Sequence, residues 1–282
     1  MSDWGRRLGR VGVWRGGGDL DPGLARTIEE LGYGTIWIGG SPDSTLRGAE
    51  ELLDATTGVQ VATGVVNIWK SDAAELAGSY HRIEARHPGR VLLGIGTGHR
   101  EATPERVRPL EAMGRYLDVL DARDVPVRAR VLSALGPRML AMAAERSAGT
   151  HPYLTIPLQT RQMRETLGQD ALVAPEQTVV LDPSVDAARR AARAFLASYL
   201  RMDNYVRTMR RGGFTEEDVA DGGSDRLVDE IVAHGDASVL ADAVRAHLDA
   251  GADHVCVQVQ PKGGDVVSAL RAIAEALPSA SA

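Results

Sequence analysis

Short apolar runs recur along the chain, near 10–14, 34–38, 59–66, 91–95, 129–134, 149–154, 172–180 and 253–259. Nearly every one is followed by a stretch whose apolar residues return at three-to-four spacing. The first pattern is that of strands buried on both faces, the second that of helices with one apolar side. Helix boundaries carry ordinary signals: Asp21-Pro22 opens the first, Gly32 closes it, and 187–200 keeps the helical period. Strand alternating with helix over short connections predicts parallel strands. Eight such units in 282 residues predict an α/β fold of the (β/α)8 TIM-barrel class more than an open doubly wound sheet.

One segment breaks the rhythm. About fifty residues separate the helix ending near Leu200 from the last strand, including Arg210-Arg-Gly-Gly-Phe-Thr-Glu-Glu-Asp218 and Asp221-Gly-Gly-Ser-Asp225. The reading is a helical excursion over one barrel end, about 201–236, with helix at 226–234 and 237–249; it serves either as extra packing, as a subunit contact or as a lid. No repeat or low-complexity linker divides the chain, so 1–282 reads as a single barrel domain, with a frayed tail at Pro278-Ser-Ala-Ser-Ala282.

Composition narrows the function classes. With 44% apolar residues the chain can bury one large core, and no apolar run approaches the roughly 20 residues that span a bilayer. The start lacks a signal-peptide pattern, so the expected location is the cytoplasm, with no membrane partner. Net charge is −6 and no basic block interleaves with aromatics, which argues against nucleic acid. Cys256, the only cysteine, sits in an apolar run and reads as a small buried hydrophobe. Lys70 and Lys262 are the only lysines, which leaves few candidates for Schiff-base chemistry.

In a barrel, function collects where strands run out into the following loops. Those ends read Trp14-Arg15, Trp37-Ile-Gly-Gly-Ser41, Val65-Val-Asn67, Gly96-Thr-Gly-His99, Ala134-Leu-Gly136, His151-Pro-Tyr153, Pro175-Glu-Gln177 and Gln258-Val-Gln260. This rim is rich in amides, imidazoles and glycines and poor in clustered carboxylates. A metal hydrolase needs a His-x-His pair where the first strand has Gly12-Val-Trp-Arg15, so no metal site is expected. A retaining glycosidase needs two acids, and only Glu176 is placed. What remains suits a flat organic cofactor that carries the reaction in its own ring.

Several residues admit two readings. Ser133-Ala-Leu-Gly-Pro-Arg138 meets a helix start and suits a phosphate, with Arg138 adding a charge; equally, Gly136 makes a turn and Pro137 opens the helix. Gly94-Ile-Gly-Thr-Gly98 lacks the ending of a P-loop, and close backbone approach explains it as well. His151 and His99 are placed at strand ends and are candidate site residues, or a packed imidazole and a solvated one. His81, His87, His234 and His247 fall on or near helices and are expected at the surface, and His254 lies early in the last strand. Trp14, Trp37 and Trp69 either fill the core or wall a flat ring.

The order and spacing of many segments resemble the luciferase-like, coenzyme F420-dependent oxidoreductases. The likeness is carried by Gly32-Tyr-Gly-Thr-Ile-Trp-Ile38, Ala62-Thr-Gly-Val-Val-Asn67, Leu92-Leu-Gly-Ile-Gly96, Met113-Gly-Arg-Tyr-Leu-Asp118 and Arg130-Val-Leu-Ser-Ala-Leu-Gly-Pro-Arg-Met139. It continues through Gly149-Thr-His-Pro-Tyr153, Ala174-Pro-Glu-Gln177, Gly212-Gly-Phe-Thr-Glu-Glu-Asp218, Ser224-Asp-Arg-Leu-Val-Asp229 and Ala250-Gly-Ala-Asp-His-Val-Cys-Val-Gln258. The resemblance implies a deazaflavin ring at the strand C-termini, resting on a bulge at Gly64, Val65 and Val66 beside Asn67, Gly96 and Thr97, with a cis peptide at or beside Gly64-Val65. It implies a phosphate-bearing tail near Gly136, Pro137, Arg138, Gly149 and Thr150, with His151 a further cofactor-binding candidate.

Hydride would then pass between F420 and a small organic substrate held by Trp14, Trp37, Trp69, Tyr153 and Gln177. Some relatives place an acid-base histidine after the second strand, where this chain has Gly39-Gly-Ser-Pro42. The proton role therefore passes to His99, with Ser41 behind it. An FMN-dependent monooxygenase on the same fold and a non-catalytic ligand-binding barrel are the alternatives, and a homodimer is the expected assembly.

Overall fold

The computed structural model describes residues 2–99 and 108–277. Its strands are Val11–Gly16 (β1), Thr35–Gly39 (β2), Gln60–Thr63 (β3), Val66–Asn67 (β4), Val91–Gly96 (β5), Arg130–Leu132 (β6), Gly149–Thr150 (β7), Leu172–Val173 (β8), Glu176–Leu181 (β9), Val232–Gly235 (β10) and Val255–Val259 (β11). All pairings are parallel, and neighbours run β10-β9-β11-β1-β2-β3-β5-β6-β7-β8, with β4 beside β5. The path returns on itself. Only Ala174-Pro175 separates β8 from β9, and three backbone bonds continue the ladder across that gap: Ala174 N to Thr150 O, Glu176 N to Pro152 O and Cys256 N to Pro175 O. Taking β3 with β4, and β8 with β9, as single staves, and setting aside β10, which lies on the edge of β9, gives the eight staves of a (β/α)8 barrel, the α/β class expected from the apolar pattern.

The pattern also explains the burial. β2 and β5 are buried along their whole lengths, because the barrel interior covers one face and helices the other. Helices start at the caps the sequence offers: Asp21 accepts from the N–H groups of Gly23 and Leu24, and Ser184, Asp236 and Asp265 cap later helices likewise. No helix among the described residues is long and apolar enough to cross a membrane.

Three elements differ from the sequence expectation. The run 59–66 is not one strand: β3 stops at Thr63, a cis Gly64–Val65 peptide follows, and β4 resumes at Val66. The helix expected over 226–234 ends at Ile231, and β10 takes Val232–Gly235, which register with Thr178–Leu181 and cover the free edge of β9. His247, expected at the surface, is fully buried, bonded through Nδ1 to the Thr160 hydroxyl (2.7 Å) and through Nε2 to Gln177 Oε1 (3.1 Å). The tail from Pro278 lies outside the described residues.

Candidate active site

The C-terminal ends of the strands open into a cavity of about 640 Å³. Its floor is the turn between β3 and β4. The Trp14 indole N–H donates to Gly64 O (3.2 Å), and the Thr63 hydroxyl donates to Gly94 O (2.8 Å). The glycines of β5 make this turn possible: a Cβ on Gly94 would lie 1.8 Å from Thr63 O, and one on Gly96 2.6 Å from a Val65 methyl. Close backbone approach is thus what Gly94-Ile-Gly96 supplies here. Gly64 and Val65 remain half-buried, presenting a bare peptide to the cavity.

One side of the cavity is aromatic. Trp14 lies 5.5 Å from Tyr153, Tyr153 lies 5.5 Å from Tyr199, and Tyr205 packs on Tyr199 at 5.2 Å and on His99 at 4.9 Å, centroid to centroid. The Tyr153 hydroxyl donates to Gln258 Oε1 (2.7 Å). Tyr199 comes from the 3-10 turn Tyr199–Arg201, and Tyr205 from the helix Asp203–Arg211. The excursion therefore forms a cavity wall. Its helix docks through Arg211, whose guanidinium donates to Leu135 O (3.2 Å) and to the Thr208 hydroxyl (2.9 Å).

His99 is half-buried at the rim. Its Nδ1 faces Asn204 Oδ1 at 3.2 Å, and its Nε2 faces the Tyr205 hydroxyl at 3.4 Å, so the excursion helix orients the ring. Ser41 lies exposed at the same rim with a positive φ of 58°. His151 is deeper, 2% exposed, and donates from Nδ1 to Ala174 O at 2.7 Å. Burial lowers its pKa to about 4, and the ring is neutral at physiological pH.

The cavity also collects cations. Among the described residues, Lys70, Lys262, Arg207 and Arg211 line it against one carboxylate, Asp203, in a chain whose net charge is −6. Asp203 pairs with Arg207 at 2.9 Å, and among the described residues no carboxylate pairs with Arg211. Such a mouth favours an anionic ligand.

Of the residues singled out from sequence, Trp14, Ser41, Gly64, Val65, Asn67, Gly96, Thr97, His99, Gly136, His151 and Tyr153 line this cavity. Others lie away from it. Trp37 is fully buried under His151, with its N–H on His254 Nε2 (3.0 Å). Trp69 donates to Thr97 O (2.9 Å) and fastens the loop that carries Lys70. Gln177 donates to Thr178 O and Ile231 O, inside the wall. Val66 is fully buried. The Thr150 hydroxyl donates to the carbonyls of Leu132 and Ala134 and shapes the following loop, while a Cβ on Gly149 would strike Leu172 O at 2.0 Å. Pro137 and Arg138 are exposed, and Arg138 faces a separate outer hollow with Arg108 and Glu111.

The sequence reading missed Tyr199, Asn204, Tyr205, Arg207 and Arg211. A positional signal existed: the helix carries tyrosine, arginine and threonine at three-to-four spacing in 205–211, but only its docking shows which side faces the strands.

Fold and site together define a (β/α)8 barrel protein with an open cavity at the C-terminal ends of its strands. Residues 22–122 match the family model of luciferase-like monooxygenases. Among curated proteins no sequence matches. Solved structures agree over nearly the whole chain. An F420-dependent secondary alcohol dehydrogenase, in complex with an F420-acetone adduct, is 16% identical with a TM-score of 0.74, over 97% of this chain and 99% of that one. A coenzyme F420-dependent tetrahydromethanopterin reductase from Methanopyrus kandleri is 18% identical with a TM-score of 0.72, over 95% and 98%. The oxygenating constituent of 3,6-diketocamphane monooxygenase from Pseudomonas putida, in complex with FMN, is 14% identical with a TM-score of 0.70, over 95% and 97%. At these identities the likeness shows the barrel fold, and the family-model match over 22–122 agrees with the luciferase-like resemblance seen in the sequence.

Proposed function

We propose that the chain binds coenzyme F420 in the cavity above Gly64–Val65 and transfers a hydride between it and a small organic substrate. The observation that carries this reading is a bare peptide floor between aromatic and glycine walls, opening to a mouth that holds four cations and one carboxylate among the described residues. A flat ring needs the floor, and an anionic tail needs the mouth. Two neighbours named for F420 support the choice.

When bound, the deazaflavin supplies the two-electron hydride chemistry. The chain's own residues do the rest. Gly64, Val65, Asn67, Gly96 and Thr97 support the ring, and Trp14 and Tyr153 close one side against water. Arg207, Arg211, Lys70 and Lys262, with the loop at Gly136, hold the anionic part. His99 holds the proton that accompanies the hydride, oriented by Asn204 and Tyr205, and Ser41 stands beside it at the rim.

Likeness to an FMN-bound monooxygenase favours a second reading, since FMN is also flat and anionic. Titration of the purified chain with F420 and with FMN, followed by tryptophan quenching and cofactor fluorescence, separates the two. Tight F420 binding with hydride turnover supports the proposal. Preference for FMN with oxygen-dependent turnover replaces it with a monooxygenase, and binding of neither points to a non-catalytic barrel.

A further inference from the structure

His151 is held in one tautomer by the wall behind it. A carbonyl oxygen only accepts, so the 2.7 Å contact with Ala174 O places the proton on Nδ1 and leaves Nε2 with its lone pair. The ring plane is fixed as well. Trp37 stacks on the imidazole at 4.0 Å and 16°, the Trp37 N–H is held by His254 Nε2 at 3.0 Å, and His254 donates from Nδ1 to Gly9 O at 2.7 Å.

Nε2 of His151 has no hydrogen-bond partner among the described residues, although the side chain is 98% buried, and it borders the cavity beside the floor turn. It lies 3.3 Å from the point a Cβ on Gly64 would occupy. An acceptor with no protein partner among the described residues, open to the cavity and beside the turn where a ring would rest, is placed to receive a donor from a bound ligand.

We propose that His151 is a positioning residue whose Nε2 accepts a hydrogen bond from the ring N–H edge of the bound flavin-type cofactor. This rests on the proposed function, but it holds for F420 and FMN alike, because the pyrimidine portion of both rings carries an N–H. The neutral imidazole then reads the ring by its donor and fixes its rotation on the floor. A cationic imidazole would present N–H to N–H and reject it. No carboxylate contacts this ring among the described residues, and the low pKa of about 4 keeps the accepting form in place through the physiological range.

The test uses the full chain with ring-15N histidine. The His151 signals are assigned by their absence in His151→Phe, a variant that keeps a flat ring against Trp37. In the free protein Nε2 should resonate as a bare, pyridine-type nitrogen, and saturation with F420, or with FMN if that is what binds, should move it toward the hydrogen-bonded position. His151→Phe should weaken cofactor binding by about 3- to 10-fold, the value of one hydrogen bond, and His151→Gln should recover part of the loss through its carbonyl. An unmoved Nε2 signal at saturation, or a protonated Nε2 in the free protein, overturns the assignment while leaving the proposed function standing. Binding of neither cofactor to the wild type removes the proposed function, and this inference with it.

Discussion

Stability of this fold should fall on both sides of a maximum near pH 6.5, for a reason visible in four buried side chains. His151, His247 and His254 are pushed down to about 4 by burial, while burial raises Glu176 to about 8. Between pH 6.5 and 4.5 the unfolded chain protonates all three imidazoles and the folded chain none, so acid favours unfolding. Glu176 acts in the opposite sense in that window, because its carboxyl is protonated in the fold and ionised in the unfolded chain. The net difference is about two protons, or roughly 3 kcal/mol of stability lost per pH unit. Above pH 6.5 the histidines drop out and Glu176 alone acts, removing about 1.4 kcal/mol per unit until its own pKa is passed. A loss of about 5 kcal/mol by pH 4.5 rivals the whole stability of an ordinary domain. Urea unfolding at half-unit steps from pH 4.5 to 8.5 measures both limbs. His247→Gln, remote from the cavity, should flatten the acid limb by about 1.4 kcal/mol per unit, and Glu176→Gln should abolish the alkaline one. A wild-type curve that is level from pH 6.5 to 4.5, or an acid limb unchanged by His247→Gln, would refute the reasoning.

Three further outcomes are expected. Arg207→Ala should raise the cofactor dissociation constant by roughly 10-fold with little change in kcat at saturation, since a charge on a distal anion acts equally in ground and transition states; Arg138→Ala, on the outer hollow, should do much less, and equal effects would move the anionic tail outward. Gly94→Ala should cost about 3 kcal/mol or prevent folding, because its methyl would meet the Thr63 carbonyl at 1.8 Å, and urea melts resembling the wild type would show that the floor turn can retreat. His99→Ala should lower kcat by roughly 10²–10⁴ and remove one limb of the pH-rate profile while cofactor affinity holds; near-normal turnover would pass the proton role to Ser41 or to solvent.

The barrel was legible because parallel strands covered on both faces leave long apolar runs, and all eight runs became staves. The exceptions share one cause. β10 is a four-residue strand whose last two residues, His234 and Gly235, are only partly buried, so its sequence looks like the end of the preceding helix. It is a strand because the edge of β9 offers it hydrogen bonds, which is information from another part of the chain. His247 was misplaced likewise. Histidine at the end of a helix is ordinarily solvated, and it is buried here because Gln177 and Thr160, distant in sequence, present an acceptor and a hydroxyl to its two nitrogens.

The same dependence on distant partners separates the histidines of the site. Position in the sequence brought both His99 and His151 to strand ends, and both reached the cavity. What each can do there is set by its contacts. His99 is met by Asn204 and Tyr205 from the excursion helix, a more open environment in which a proton can be exchanged with the rim. His151 is fixed by Ala174 on one side and Trp37 on the other, in surroundings that disfavour charge and leave a single lone pair exposed to a ligand. A proton carrier must change state during turnover, and a positioning acceptor must not. The two imidazoles are therefore suited to different tasks, and exchanging their roles would require moving the carbonyl of Ala174 rather than either histidine.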